Sequence, residues 1–258
     1  MKNNGNFATL PMEYDTYIFD LYGTLVDIHT DEHSMSLWGK VALFYAYYGA
    51  TYGPEELNQR FGELIHRAEV DLKQALEEDP HYSHEASAEI EIKDVFRAIF
   101  VEKGVTASEE LILHTGQFFR VLSTEHVRVY PGTEELLKGL KAAGKKVYLL
   151  SNAQRIFTES EMNVLNIARH FDSIYFSSDY QAKKPDRRFF DALINEQQID
   201  VKTALFVGND SRSDIAGAGN VGLETFYVKS NITPENDHAP EATYSVDEFV
   251  GWKFECGA

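Results

Sequence analysis

The chain has 258 residues, 43% of them hydrophobic and 25% charged, which suits one large globular domain or a core plus a smaller one. Its formal net charge of −17 excludes nonspecific nucleic-acid binding, which needs Lys and Arg to replace counterions. The single Cys256 excludes an internal disulfide framework, and neither a run of about 18 apolar residues nor an apolar signal region in MKNNGNFATLPMEYD is present, so a cytoplasmic protein with no membrane partner is expected.

Tyr17-Ile18-Phe19 is an apolar run that ends at Asp20 and is followed by Gly23, the pattern of a buried strand entering a turn. From about Val26 to His126 the spacing is helical and few strands are evident. Pro54 to Glu78 places Leu57, Phe61, Ile65, Val70 and Leu72 among charges. Ile90 to Val101 and Glu109 to Leu122 follow the same pattern, with a loop expected over Glu77 to His81. Beyond that stretch the chain alternates. A helix over Thr133 to Ala142 stops at Gly144, and a strand over Lys146 to Leu150 ends at Ser151-Asn152. A helix follows, then a short strand over Ser173 to Ser177 and another helix after Lys184-Pro185-Asp186. The strand Ala204 to Val207 runs into Gly208-Asn209-Asp210, a helix begins over Ile215 to Gly219, and Glu224 to Val228 is a strand. Such alternation predicts a parallel sheet covered by helices, with ligands bound beyond the carboxyl ends of its strands. Asp20, Ser151 and Asp210 each lie just past such an end.

Four short pieces carry candidate chemistry. A carboxylate at a strand end, Asp20, can attack an electrophile covalently, and the turn at Gly23 can offer backbone N–H groups to an oxyanion. An Asp opening an ordinary turn is the plain alternative. Ser151 and Asn152 can hydrogen-bond a phosphoryl or carboxylate oxygen, although both are also common helix caps. Lys184 can offset charge at the nucleophile, or simply be a surface lysine. Asp210 and Asp214 can join Asp20 in an oxygen-rich site of the kind Mg²⁺ favours, or cap the following helix.

Their joint order resembles the haloacid dehalogenase-like superfamily, over Tyr17 to Val26 and roughly Val129 to Val228. Tyr130-Pro131-Gly132 and Asp214-Ile215-Ala216-Gly217-Ala218 add to the likeness. The resemblance, closest to subfamily I with its helical cap, implies an α/β fold. A Rossmann-like parallel sheet with helices on both faces would span residues 1–25 and 127–258, and an inserted α-helical cap would span residues 26–126. It implies a hydrolase with Asp20 as nucleophile and Lys184 as its stabilising cation. Tyr22, Thr24, Ser151 and Asn152 match positions that contact the substrate, a small anionic molecule. In phosphatase members Mg²⁺ is the cofactor, and its ligands would here be Asp20, the backbone carbonyl of Tyr22 and Asp210, with Asp214 either binding through water or orienting Lys184. The oligomeric state, monomer or homodimer, stays open.

Two departures bear on the activity. Most phosphatase members have Asp where this chain has Tyr22; that Asp protonates the leaving group, and a phenol of ordinary pKa near ~10 is a poor base at neutral pH. The fourth motif usually reads Gly-Asp, but Asn209 intervenes here. The 2-haloacid dehalogenases of the family carry Asp-x-Tyr-Gly-Thr and need no metal, but they use an arginine early in the cap, and residues 29–53 contain none. A carboxylate of Asp210 beside Asp20 would call for a divalent cation. The expectation is therefore a Mg²⁺-dependent phosphatase on a small phosphate monoester, with the metal-independent 2-haloacid dehalogenase and a non-catalytic binding module as alternatives. In the cap, His29, His33, His66, His81 and His84 match no zinc spacing and read as exposed residues. Tyr45, Tyr47, Tyr48 and Tyr52 could line a pocket roof or pack in a core, and Arg60 and Arg67 share one helical face that is solvated by default.

Overall fold

A computed structural model describes residues 5–77 and 87–255. The segment expected to loop at residues 78–81, together with His81, His84 and Cys256, lies outside the described residues.

The chain opens with β1 (Asn6–Thr9) and then β2 (Thr16–Phe19), which is buried along its whole length. β3 (Val26–Thr30) leads into four helices: α1 (Met35–Tyr47), α2 (Pro54–Glu77), α3 (Ile92–Glu102) and α4 (Glu109–Ser123). β4 (Thr124–Val129) returns from them. Then come α5 (Thr133–Ala142), β5 (Lys146–Ser151), α6 (Arg155–Val164), β6 (Ser173–Phe176), the short α7 (Ser177–Tyr180), α8 (Arg187–Gln197) and β7 (Ala204–Gly208). A wide π turn over Ser211–Ala216 precedes α9 (Gly217–Asn220), β8 (Glu224–Val228), β9 (Tyr244–Val246) and β10 (Phe249–Lys253).

Six of the strands form one parallel sheet in the order β6-β5-β2-β7-β8-β9. The fold is therefore α/β with a parallel core, as the alternating pattern predicts. The core follows from side-chain alternation along each strand. Tyr17 and Phe19 of β2, Val147 and Leu149 of β5, and Leu205 and Val207 of β7 face one apolar layer, closed by Leu136, Leu137 and Leu140 of α5. Ile18, Leu150 and Phe206 face the other, closed by Phe189, Phe190 and Leu193 of α8. Both faces of the central strands are covered, which is why their sequences are continuously apolar. β2 sits mid-sheet, where the chain steps first to β5 and later to β7 on the opposite side, the position at which parallel sheets bind ligands.

The predicted helices form with ends shifted by one or two residues, and their ends carry ordinary signals. Pro54 begins α2 with Glu55 and Glu56 in its first turn. The Ser108 side chain caps α4 by accepting from the Leu111 amide. Three expectations are corrected. The stretch thought to be helical contains β3 and β4, an antiparallel ribbon pairing Val26 with Val129 and His29 with His126. Ser177 starts a helix and does not end a strand. Ile215, the expected start of a helix, lies in the π turn, and the helix starts at Gly217.

The four helices enclose their own apolar cluster around Trp38, Tyr45, Phe61, Phe96, Phe100 and Phe119, and Ile156 and Phe157 of α6 complete it. Tyr45 and Tyr52 are buried there, their hydroxyls donating to the carbonyls of Phe96 and Ile99, whereas Tyr47 and Tyr48 are exposed. Arg60 pairs with Glu63 and Glu102 and Arg67 with Asp71, a solvated face as expected. No helix of the described residues is long and apolar enough to cross a membrane.

Candidate active site

Because β5 and β7 run in register with β2 (Phe19 opposite Leu149 and Val207), Ser151 and Asn209 each end one residue beyond the level of Asp20, on its two sides. The backbone turns sharply after Asp20. The amides of Thr24, Leu25 and Val26 all donate to the Leu21 carbonyl, and that of Gly23 donates to Val26. Gly23 has φ +86°, and a Cβ there would overlap the Asn209 side-chain amide, so the turn requires glycine on two counts. Trp252 of β10 donates its indole N–H to the Thr24 carbonyl at 3.0 Å and holds the turn from below.

Lys184 is the centre of the site. Its ammonium lies 2.6 Å from Asp20 Oδ1 and 2.7 Å from Asp214 Oδ1, and its side chain is 1% exposed. Burial alone would push the lysine pKa down, but the two carboxylates outweigh it and the net direction is up. Burial raises Asp214 most; the nearby Asp20 charge adds to this, Lys184 opposes it, and its pKa is pushed up to about 6. Asp214 Oδ2 accepts from the backbone amides of Asn209 and Asp210, and a Cβ on Gly208 would overlap this carboxylate. The loop bearing Lys184 is clamped from two directions. Asn152 Oδ1 accepts from the Lys184 amide at 2.8 Å and its Nδ2 donates to the Lys184 carbonyl at 3.0 Å. From the helical segment, Ala88 bridges Ala182, the Lys183 amide donates to Ser87, and the Ser87 amide donates to Asp186.

The remaining expected residues fall out differently. The Ser151 hydroxyl is buried and has no hydrogen-bond partner among the described residues. Such an orphan is costly unless something else binds it, which makes it a natural donor to a substrate oxygen. Asn152 has both ends of its amide spent on Lys184, so it positions the lysine in this structure. Thr24 is fully buried and its hydroxyl lies 3.4 Å from Asn209 Oδ1. The Tyr22 hydroxyl donates to Glu161 and lies near Thr158 and Arg120. Burial first, then the neighbouring Glu161, pushes its pKa well up, so the phenol keeps its proton and is no base at neutral pH.

The acidic residues expected to hold Mg²⁺ have other partners in the structure. Among the described residues no group of three His, Cys, Asp or Glu is arranged to hold a metal ion. Asp210 Oδ1 accepts from the Arg212 and Ser213 amides and caps the π turn, while Asp214 is taken by Lys184 and two amides. The residue that leaves β7 against the Asp20 turn is the neutral Asn209. Asp20 and Asp214 share the Lys184 ammonium as their counter-ion.

Sequence reasoning missed Arg120, Glu161, Asn209 and Trp252. Arg120 and Glu161 also line a cleft of 340 Å³ between α4 and α6. Only Asn209, as the residue directly after the β7 run, carried a readable signal.

A glyceraldehyde 3-phosphate phosphatase of Methanothermobacter thermautotrophicus is 30% identical over 113 residues, covering 43% of this chain and 50% of that protein. An (S)-2-haloacid dehalogenase 4A of Burkholderia cepacia is 27% identical over 117 residues, covering 45% and 50%. The chain thus spans about half the length of the curated relatives it matches. The crystal structure of a haloacid dehalogenase-type phosphatase from Thermococcus onnurineus shares the fold, with a TM-score of 0.53, 18% identity, and 90% and 93% of the two chains covered. The family model for haloacid dehalogenase-like hydrolases matches residues 14–222, and the chain belongs to that family of hydrolases.

Proposed function

We propose that the chain hydrolyses a small phosphate monoester through an aspartyl-phosphate on Asp20. The observation that carries this reading is the Lys184 ammonium buried between Asp20 and Asp214, with the unpartnered Ser151 hydroxyl on the neighbouring strand end. A carboxylate oxygen of Asp20 attacks phosphorus and the alcohol oxygen departs, taking its proton from water because the Tyr22 phenol is committed to Glu161. Lys184, Ser151 and the amides of Leu21 and Tyr22 hold the phosphoryl oxygens. Water then releases phosphate. Residues 26–126 act as a cap over this site, hinged at the β3–β4 ribbon, and the protein works in the cytoplasm on an anionic small molecule.

A second reading, 2-haloacid dehalogenation, is favoured by the neutral pair Tyr22 and Asn209 at the positions where phosphatases of the family carry acids. It is weakened because Arg120, which stands over the Tyr22 ring, is already paired with Glu161. Purified protein should release phosphate from phosphate monoesters and no halide from 2-haloacids, each assayed with Mg²⁺ and with EDTA. Halide release without phosphate release selects the second reading.

A further inference from the structure

Tyr22 lies two residues after the proposed nucleophile, yet its partners belong to other elements. Its hydroxyl donates to Glu161 and lies 3.1 Å from Thr158 Oγ1, both on α6. Arg120, in the last turn of α4, stands over the Tyr22 ring at 5.8 Å and over Phe157 at 5.3 Å. Its Nε donates to Glu161 Oε1 at 2.6 Å and its Nη2 lies 3.4 Å from the Tyr22 hydroxyl. The Arg120 and Glu161 side chains are 14% and 11% exposed, so the ion pair is largely removed from water. The other side chains of the nucleophile turn point into the core: Asp20 to Lys184, Thr24 to Asn209, and Leu21 and Leu25 into the main apolar layer. Tyr22 is the side chain of this turn that reaches the helical segment.

We propose that Arg120 and Glu161 are positioning residues: they hold Tyr22, and through it the backbone that aims Asp20, so the nucleophile is aligned only when α4 is seated on α6. The inference rests on Asp20 being the nucleophile. The physical case is one of tolerance. A carboxylate attacking in line must be placed closely, and an error of about 1 Å costs roughly 10²-fold in rate. A two-residue lever from Tyr22 to Asp20, inside a turn closed by four backbone hydrogen bonds, transmits a shift of the ring to the carboxylate. The guanidinium suits this task. Its planar face covers two rings while its edge binds the carboxylate that in turn binds the phenol.

The test compares Arg120→Gln, Glu161→Gln, the double variant and Tyr22→Phe in the full chain. Turnover of p-nitrophenyl phosphate and amide hydrogen exchange over residues 21–26 are the readouts. Each charged single variant weakens a largely buried pair: Arg120→Gln strips Glu161 of its cation, and Glu161→Gln leaves Arg120 only the exposed Glu32 at 3.9 Å among the described residues. Each should lower kcat by about 10- to 100-fold, with KM changed by less than about 3-fold, and speed exchange in the turn. The double variant, with two neutral amides able to bond each other, should regain at least about 10-fold over the poorer single variant and restore the exchange pattern. Tyr22→Phe keeps the ring and should lose about 3- to 10-fold in kcat. Losses that multiply in the double variant, losses confined to KM, or unchanged exchange at residues 21–26 would overturn the proposal. The exchange arm needs no substrate. Full turnover by Asp20→Asn with the exchange pattern as expected would sink the nucleophile assignment while leaving the turn's dependence on Arg120 standing.

Discussion

Replacing Lys184 by Met isolates the electrostatics of the site, because the change keeps an unbranched apolar stem and removes the ammonium. In the wild type that ammonium serves two buried carboxylates, at 2.6 and 2.7 Å. Removing one member of a buried pair typically costs about 3–5 kcal/mol, a large share of the ~5–15 kcal/mol that holds a domain folded. The cost should depend on pH in a defined direction. Asp214 already titrates at about 6 in place of 3.8, through burial and Asp20 and in spite of Lys184. That rise corresponds to roughly 3 kcal/mol of preference for the protonated form. A group with a raised folded pKa gives its full stability below the unfolded pKa and loses it as pH rises through the folded one. Without Lys184 the opposing influence vanishes, the folded pKa climbs further, and the loss extends to higher pH. Urea unfolding should therefore show a deficit of about 3–5 kcal/mol at pH 8 that shrinks to about 1–2 kcal/mol at pH 5, where Asp214 is protonated in both proteins. Adding Asp214→Asn should recover part of the loss at pH 8. An equal deficit at both pH values would refute the reasoning and reduce Lys184 to a packing residue.

Three further outcomes follow from the same geometry. Asp20→Asn should abolish hydrolysis of any substrate found, measured by phosphate or halide release, with near-normal turnover counting against the nucleophile. Ser151→Ala should lower kcat/KM by about 10- to 100-fold while leaving the unfolding free energy unchanged or about 1 kcal/mol higher, since the hydroxyl it removes is unpartnered; a clear loss of stability in denaturant titration would mark Ser151 as structural. Asp210→Asn should keep both fold and activity, because Asn caps as well as Asp does. Loss of activity in a folded Asp210→Asn protein would return Asp210 to the metal.

The sheet was legible because β2, β5 and β7 are buried on both faces and so read as unbroken apolar runs. Each also ends at a residue that chemistry singles out. The β3–β4 ribbon was not legible. Its strands are short and half-exposed, and they pair Val26 with Val129 across the whole helical segment, so no hairpin turn marks them. Nor did spacing show that α6 serves two cores: Met162 packs in the main layer while Ile156 and Phe157 finish the cluster of the helical segment. The choice between Asn209 and Asp210 was likewise beyond the sequence. It depends on where β7 stops against β2, which the pairing of Phe19 with Val207 decides.

The same pairing explains why Lys184, the least recognisable of the expected residues, is the best determined. A lone lysine before a proline has no periodicity to announce it. In the structure its loop is held at the backbone by Asn152, which the β5 run places one residue past Ser151. It is held again by the bridge from Ala88, and its helix is started by Asp186, whose carboxylate accepts from both Arg188 and the Ser87 amide. A buried ammonium with three donors and no freedom to leave can be kept only where its carboxylates are equally fixed. Asp20 is fixed by the turn over Gly23, and Asp214 by two amides at the end of β7. The strands thus supply position, the carboxylates supply the field, and the helical segment, through Ser87 and Ala88, bears directly on the lysine, so that movement of that segment should be felt at the counter-ion of Asp20.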